Sequence, residues 1–178
     1  MITFDHRGLL PPTDYLMTFD DLKSSTLVNG PVSGVIWDKQ WRLKLVKNLE
    51  IMVNQLWAVG VFEIFIDGSF VEMKSHPNDI DGYFVTDVMR VATGELQREL
   101  NMLEPDKIWT WSPLSRKPYR GYPKKQLPMW HKYRVELYPH YNQPTGILDQ
   151  HGNQMQFPAA FRVERNTYEP KGIIKIVK

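Results

Sequence analysis

The sequence predicts an α/β protein of the α+β kind, a mixed sheet with helices packed on it, and three observations carry that reading. Over 36–59, Trp37, Trp41, Leu45, Leu49, Met52 and Leu56 recur at three- and four-residue spacing, with Lys39, Arg42, Lys44, Lys47 and Glu50 between them. This is the apolar stripe of one long helix against a core. Two apolar runs follow at 61–66 and 79–85, and the stretch between them is too short and broken to hold a full crossover helix. The pair is therefore not an ordinary βαβ unit. Further strand-length runs at 133–138 and 173–177 come after a second helical stretch. The order helix, strand, strand, helix, strand, strand gives a mixed sheet, not a doubly wound one.

Taken in order, residues 1–12 end in Leu-Leu-Pro-Pro and form an extended arm, because each proline pushes its predecessor out of the helical region. Thr18 caps a short helix near 20–25 with an acidic first turn. The stretch 28–34 is a loop punctuated by Asn-Gly-Pro and Ser-Gly, and Gly60 stops the long helix. The run 61–66 is almost continuously apolar, as in a strand internal to its sheet. A short helix opens at 68–73, and 86–103 is helical but interrupted at Thr93-Gly94-Glu95, with Thr93 as the cap of the restart. Residues 107–111 read as a short strand, and 112–129, with four prolines, as a long basic loop. Strand 133–138 is closed by Pro139, 142–154 is turn-rich with a hairpin tip at His151-Gly152-Asn153, and Pro158 starts a short helix over 158–165. No repeat or linker divides the chain, so 1–178 is one domain, with a core of roughly 36–138, an N-terminal arm 1–35 and a C-terminal extension 139–178.

With 178 residues, 42% apolar and 24% charged, the chain is long enough for a real core and has an ordinary globular composition. A net charge of +2 does not by itself point to nucleic acid. The absence of cysteine excludes a disulfide framework and thiolate metal sites, and makes the cytoplasm the expected compartment. No apolar run approaches membrane-spanning length and the N-terminus has no signal-peptide core, so no membrane partner is expected. Six Trp, eight Tyr and eight Phe leave aromatics to spare for a binding surface.

Asp79 and Asp81 flank a single isoleucine, and alternation along a strand puts both on one face. Two adjacent carboxylates repel unless a cation sits between them, and a hard cation with oxygen ligands suits the pair. Gly68-Ser69, directly after a buried strand, lets the backbone approach a phosphate, and a helix starting there turns free N–H groups and the Ser69 hydroxyl toward an anion. Glu136, between Val135 and Leu137, is a candidate third carboxylate. A cradle, a cation clamp and a third acid are the parts metal-assisted phosphoryl transfer needs. Each residue also has a second reading. Asp79 and Asp81 could sit in a solvated turn after His76-Pro77-Asn78. Glu136 could be an exposed strand residue paired with Arg134 or Lys132, and Asp67 either a further ligand or a turn former. In the basic loop, Arg116, Lys117, Arg120, Lys124 and Lys125 interleave with Trp109, Trp111, Tyr119 and Tyr122. This mix suits phosphate contacts with base stacking, or else a solvated surface. His131 and His140 read as packing or surface residues.

The strand, Gly68-Ser69, Asp79-Ile80-Asp81 after nine intervening residues, and the later lone Glu136 resemble the nucleotidyltransferases related to DNA polymerase beta. The run 64–71 together with 119–130 further resembles an uncharacterised bacterial group of that superfamily, met near mobile elements. The resemblance implies a mixed-sheet nucleotidyltransferase-like fold. It also implies transfer of a nucleoside monophosphate from an NTP such as ATP to an RNA, tRNA, protein or small-molecule acceptor, with release of pyrophosphate. In that reading Asp79, Asp81 and Glu136 are catalytic and hold two Mg²⁺ ions, and Glu136 is the base. Gly68 and Ser69 hold the triphosphate, while Arg116, Lys117, Arg120, Lys124 and Lys125 add phosphate contacts or grip an RNA end. A toxin or defence factor would be one use of this chemistry. Three positions depart from the family pattern: Asp67 replaces an apolar or aromatic residue, Phe70 and Val71 stand where small members carry arginines, and the third acid is Glu, not Asp. These departures leave a second expectation, a catalytically silent nucleotide- or nucleic-acid-binding regulator of the same fold.

Overall fold

A computed structural model describes residues 2–31 and 35–178. In chain order the elements are β1 (Asp14–Met17), α1 (Phe19–Ser24), α2 (Thr26–Asn29), α3 (Lys39–Ala58), β2 (Ile64–Asp67), β3 (Ile80–Val85), α4 (Val88–Ala92), α5 (Glu95–Leu103), α6 (Pro128–Tyr133), β4 (Val135–His140), α7 (Phe157–Ala160) and β5 (Ile173–Ile176). Short 3₁₀ turns lie at Gly68–Val71 and Pro113–Ser115. The loop expected at 28–34 falls partly on α2 and partly, at 32–34, outside the described residues.

The fold is α+β with one mixed sheet of five strands, in the order β1-β5-β2-β3-β4. β1 runs parallel to β5, β5 antiparallel to β2, β2 antiparallel to β3, and β3 parallel to β4. The expected core of 36–138 supplies β2, β3 and the start of β4. The arm adds β1, which the sequence reading missed, and the extension inserts β5 into the sheet interior. Alternation divides the sheet cleanly. Ile64, Ile66, Ile80, Phe84, Val135, Leu137, Ile174 and Ile176 join the main core with Leu45, Leu49, Met52, Val53 and Leu56 of α3. The other face carries Phe65, Tyr83 and Ile173 under Phe157 and Phe161 from the C-terminal extension.

Local chemistry accounts for most boundaries. Thr18 and Asp21 form a reciprocal capping box at α1, and the Asp38 side chain accepts from the Trp41 N–H to start α3. Trp37 therefore precedes the helix. Gly94, at φ +70°, makes the joint between α4 and α5, and Thr93 closes α4 instead of capping α5. Residues 107–111 are not a strand: the Asn101 side chain pairs with the Trp109 backbone, so the segment is tied to α5 and not to the sheet. Pro139 lies within β4 and does not end it, as an edge strand allows. The hairpin at 148–154 is present as a Leu148–Gln154 bridge. No helix among the described residues is long and apolar enough to cross a membrane.

Candidate functional site

The register of the sheet sets three carboxylates abreast. Asp67 at the end of β2 stands opposite Asp81 on β3, and Asp81 stands opposite Glu136 on β4. Directly opposed residues share a face, with Cα atoms about 5 Å apart. This face is the one away from α3, since Ile66, Ile80 and Leu137 point into the main core. Asp79 precedes β3 by one residue, with Asp81 and Glu136 as acidic neighbours and Lys74 and Arg134 as basic ones. Four carboxylates thus crowd one corner of the sheet.

Each carboxylate is held differently. Asp79 Oδ2 accepts from the indole N–H of the buried Trp130 at 2.7 Å. Glu136 is 6% exposed. Its Oε1 accepts from the Leu127 backbone N–H at 3.1 Å and lies 3.4 Å from Arg116 Nη1, while Oε2 accepts from the Tyr138 hydroxyl. Asp67 is 3% exposed, and its Oδ1 lies 3.1 Å from the ammonium of the equally buried Lys171, which also meets Glu72 at 2.7 Å. Asp81, at the centre of the row, takes no side-chain ion pair or hydrogen bond among the described residues.

The charges are correspondingly strained. Burial pushes Asp81 well above the usual carboxylate range, and the charges of Asp79, Glu136 and Asp67 push it further, against a weaker pull from Arg165. Burial also raises Asp79, with Glu136 adding to it and the Trp130 hydrogen bond opposing. Asp67 is pushed up to about 7, chiefly by burial, with Lys171 only partly offsetting it. Burial works to strip Lys171 of its proton, but Asp67 and Glu72 outweigh it and hold that pKa above its ordinary value.

The loop between Gly68 and Asp79 is shaped from α3. Arg42 was expected on the polar side of that helix, yet it is fully buried. Its guanidinium donates to the carbonyls of Leu27 (2.7 Å), Phe70 (2.8 Å), Glu72 (3.2 Å) and Lys74 (2.6 Å), and stacks 3.9 Å from the Trp37 ring. The Trp41 indole N–H donates to the Pro77 carbonyl at 2.6 Å, and Asp38 pairs with His76 at 2.9 Å. The loop thus reaches Asp79 in a fixed path and is no free turn. Gly68 has φ +74°, and a Cβ there would lie 2.7 Å from Asp81 Oδ2. The expected short helix after Gly68 is a four-residue 3₁₀ turn, so it offers a bend of backbone more than a helix dipole.

The structure brings Gly68, Ser69, Asp79, Asp81, Glu136 and Arg116 into one region. Glu136 is neither exposed nor paired with Arg134 or Lys132. Arg134 stacks on Trp130 (3.8 Å) and Tyr119 (4.3 Å), and Lys132 pairs with the buried Glu104 and with Asp106. Of the basic loop only Arg116 turns inward. Lys117, Arg120, Lys124 and Lys125 are exposed, while Tyr119 and Tyr122 pack edge-on against Trp130. Lys171, Arg42, Trp130 and Tyr138 escaped the sequence reading. A lysine one residue before the terminal apolar run, with Gly172 between, was the only trace of Lys171. Among the described residues no three His, Cys, Asp or Glu side chains converge as a ready-made metal group: Asp79 is turned to Trp130, and Glu136 to Arg116 and Tyr138. Two surface grooves lie elsewhere, one of about 360 Å³ beside Phe65, Tyr83 and His140, the other of about 440 Å³ between 7–9, 72–74 and 164–169.

Fold and site together define a mixed-sheet α+β domain with a carboxylate row on the sheet face opposite its long helix. The chain belongs to the family of unknown function DUF6932, whose pattern matches residues 2–177. No curated protein and no solved structure matches it.

Proposed function

We propose that this protein is a Mg²⁺-dependent nucleotidyltransferase, moving a nucleoside monophosphate from an NTP to an acceptor on RNA, a protein or a small molecule. The observation that supports this best is the row Asp67–Asp81–Glu136 with Asp79 beside it and Gly68 directly beneath the Asp81 carboxylate. The donor set suits a hard cation in ligand type, since Asp79 and Asp81 offer oxygen ligands only and neither has an ion pair among the described residues. Asp79 and Asp81 would hold Mg²⁺, which when bound supplies charge neutralisation for the phosphates. The Gly68–Ser69 bend lets the triphosphate approach the backbone. An acceptor oxygen attacks the α-phosphorus, the bond to the β-phosphate oxygen breaks, and pyrophosphate leaves. In this reading Glu136 takes the acceptor's proton, and its contacts with Tyr138 and Arg116 would fix its orientation.

Incubation with α-labelled NTPs, Mg²⁺ and a panel of RNA, protein and small-molecule acceptors tests the reading. Transfer by wild type that is lost in Asp81→Asn is the expected result. No transfer to any acceptor, or equal transfer by the variant, overturns it. One observation favours the second reading, a silent binder: Glu136 is occupied by protein donors and Asp67 by Lys171. NTP binding that persists without transfer, and that survives Glu136→Gln, distinguishes this case.

A further inference from the structure

Four buried side-chain polar atoms among the described residues have no hydrogen bond: Arg42 Nε, Asp67 Oδ1, Thr86 Oγ1 and His140 Nδ1. Two of these are compensated. Asp67 Oδ1 lies 3.1 Å from the Lys171 ammonium, and the other nitrogens of Arg42 already serve four carbonyls. Thr86 and His140 have no such compensation, and both line the same surface groove of about 360 Å³. His140 is only 5% exposed. Native structures leave few buried polar groups unpaired, so two of them at one groove call for a partner that comes from outside.

The groove lies at the far end of the strands from the carboxylate corner. Val85 follows Asp81 by four residues on β3, and His140 follows Glu136 by four on β4. At roughly 3.3 Å per residue the separation is about 13 Å. Tyr83, Tyr138 and Phe157 stand between the two, with ring centres 5.5 Å (Tyr138–Phe157) and 6.0 Å (Tyr83–Phe157) apart. The walls of the groove are fixed by the protein's own hydrogen bonds. The Thr86 N–H donates to the His140 carbonyl at 3.0 Å. Gln143 donates to the Pro139 carbonyl and accepts from the Tyr141 N–H, both at 2.7 Å.

The lining sets the chemistry of the occupant. Phe65, Tyr83, Tyr141 and Pro158 line the groove, and flat side chains suit a flat ligand. Its charged members are already spent: Glu63 lies 3.1 Å from Lys175, and Arg162 lies 2.7 Å from Asp14. An uncharged ligand is therefore favoured over an ionic one. Burial holds His140 below its usual 6.5, so at neutral pH the imidazole offers one donor and one acceptor, and the Thr86 hydroxyl offers both. We infer that this groove binds a neutral planar heterocycle carrying a hydrogen-bond donor and acceptor on one edge, as a nucleobase does, through Thr86 and His140. The site is separate from the carboxylate corner and needs no metal.

Ligand-observed NMR titration of the whole chain with adenosine and with cytidine, in EDTA, tests this without metal or turnover. At least one nucleoside is expected to bind, and indole, equally flat but without an acceptor, at least tenfold more weakly. Thr86→Val keeps the shape and removes the hydroxyl. It is expected to weaken nucleoside binding at least tenfold and to melt no lower than wild type, because an unpaired hydroxyl contributes nothing to the fold. His140→Phe, which keeps a ring and removes both nitrogens, is expected to weaken binding likewise. A short single-stranded RNA separates the two sources of such a ring: RNA binding that Thr86→Val weakens tenfold, with no binding of free nucleosides, assigns the groove to a base within a strand. No binding of either, indole binding as well as the nucleosides, or unchanged affinity in the folded variants overturns the inference. A lower melting temperature for Thr86→Val assigns the hydroxyl to the fold and overturns it as well. None of these outcomes bears on nucleotide transfer at the carboxylate corner.

Discussion

Gly68 and Asp81 are in direct contact across the turn that ends β2: a Cβ at Gly68 would sit 2.7 Å from the Asp81 Oδ2 atom. The same residue has φ +74°, a conformation that costs an L-residue with a side chain about 1–2 kcal/mol. Gly68→Ala is therefore expected to lose about that much stability in urea denaturation and, in addition, to displace the central carboxylate. Gly121→Ala separates the two effects. Gly121 has φ +86° but nothing within 4 Å of its Cβ position. It should pay a comparable backbone cost and retain full Mn²⁺ binding, whereas Gly68→Ala should weaken that binding at least tenfold. Equal Mn²⁺ affinity in the two variants would show that the glycine serves the turn alone.

Arg42 is expected to be the most sensitive buried polar position in the chain. It joins α2, the 3₁₀ turn and the loop before Asp79 through four carbonyls. Burial lowers its pKa to about 9, still above neutrality, so it remains charged where it works. Arg42→Met keeps much of the volume but strands these acceptors, and should cost about 3 kcal/mol by chemical denaturation. Arg42→Lys should recover little of it, because a point charge does not reproduce the planar fork that serves four acceptors at once. Substantial rescue by lysine would mean that charge matters here and geometry does not.

Arg42 also shows where the sequence stops being informative. Its place in the helix was legible from the spacing of Trp41, Leu45 and Leu49, but an arginine between apolar positions reads as solvent-facing unless the tertiary partner is known. The pairing Asp79–Asp81 and the Gly68-Ser69 turn were legible because both depend on period-two alternation and on local glycine chemistry. Lys171 was not, since its meeting with Asp67 requires β5 to enter the sheet beside β2, a long-range choice that no local pattern encodes. β1 was missed for a similar reason: an edge strand with one buried residue, Met17, has almost no apolar alternation to read. The same register that hid Lys171 also lets an acid sit buried at the end of β2, because Asp67 arrives with its own cation.

The carboxylate corner sets a direction for pH dependence. An acid whose pKa is raised on folding keeps a proton that the unfolded chain releases, so its contribution falls as pH rises through the window from the unfolded value to the folded one. For Asp67 that window runs from 3.8 to about 7, and for Asp81 its upper limit is also well above 3.8. The opposing groups act lower. His140, depressed below 6.5 by burial, adds stability only as pH rises toward 6.5, and the Glu104 contribution is already complete above 4.5. As pH rises from 6.5 to about 7 the metal-free protein should therefore lose thermal stability, at up to about 1.4 kcal/mol per pH unit for each proton released. Asp81→Asn should flatten the slope, and millimolar Mg²⁺ should raise the melting temperature more at pH 8 than at pH 6. A metal-free melting temperature that rises steadily over this interval contradicts the assignment.

RNA as acceptor makes a separate and sharper demand on the basic loop. Lys124 and Lys125 are exposed, whereas Arg116 is turned into the site and Tyr122 is packed edge-on against Trp130. The loop therefore offers RNA mainly charge, with the partly exposed Tyr119 as a minor stacking surface. If the loop grips a single strand, the slope of log affinity against log salt should drop by about 1.4 when both lysines become alanine, at roughly 0.7 for each phosphate contact. Arg116→Ala should leave that slope unchanged, because its charge is spent on Glu136, and Tyr119→Phe should alter affinity little. Fluorescence anisotropy with a short labelled RNA between 50 and 300 mM salt reads all four proteins. A slope that responds to Arg116 and ignores the two lysines would place the RNA over the carboxylate corner itself, with the loop displaced from Glu136 when RNA binds.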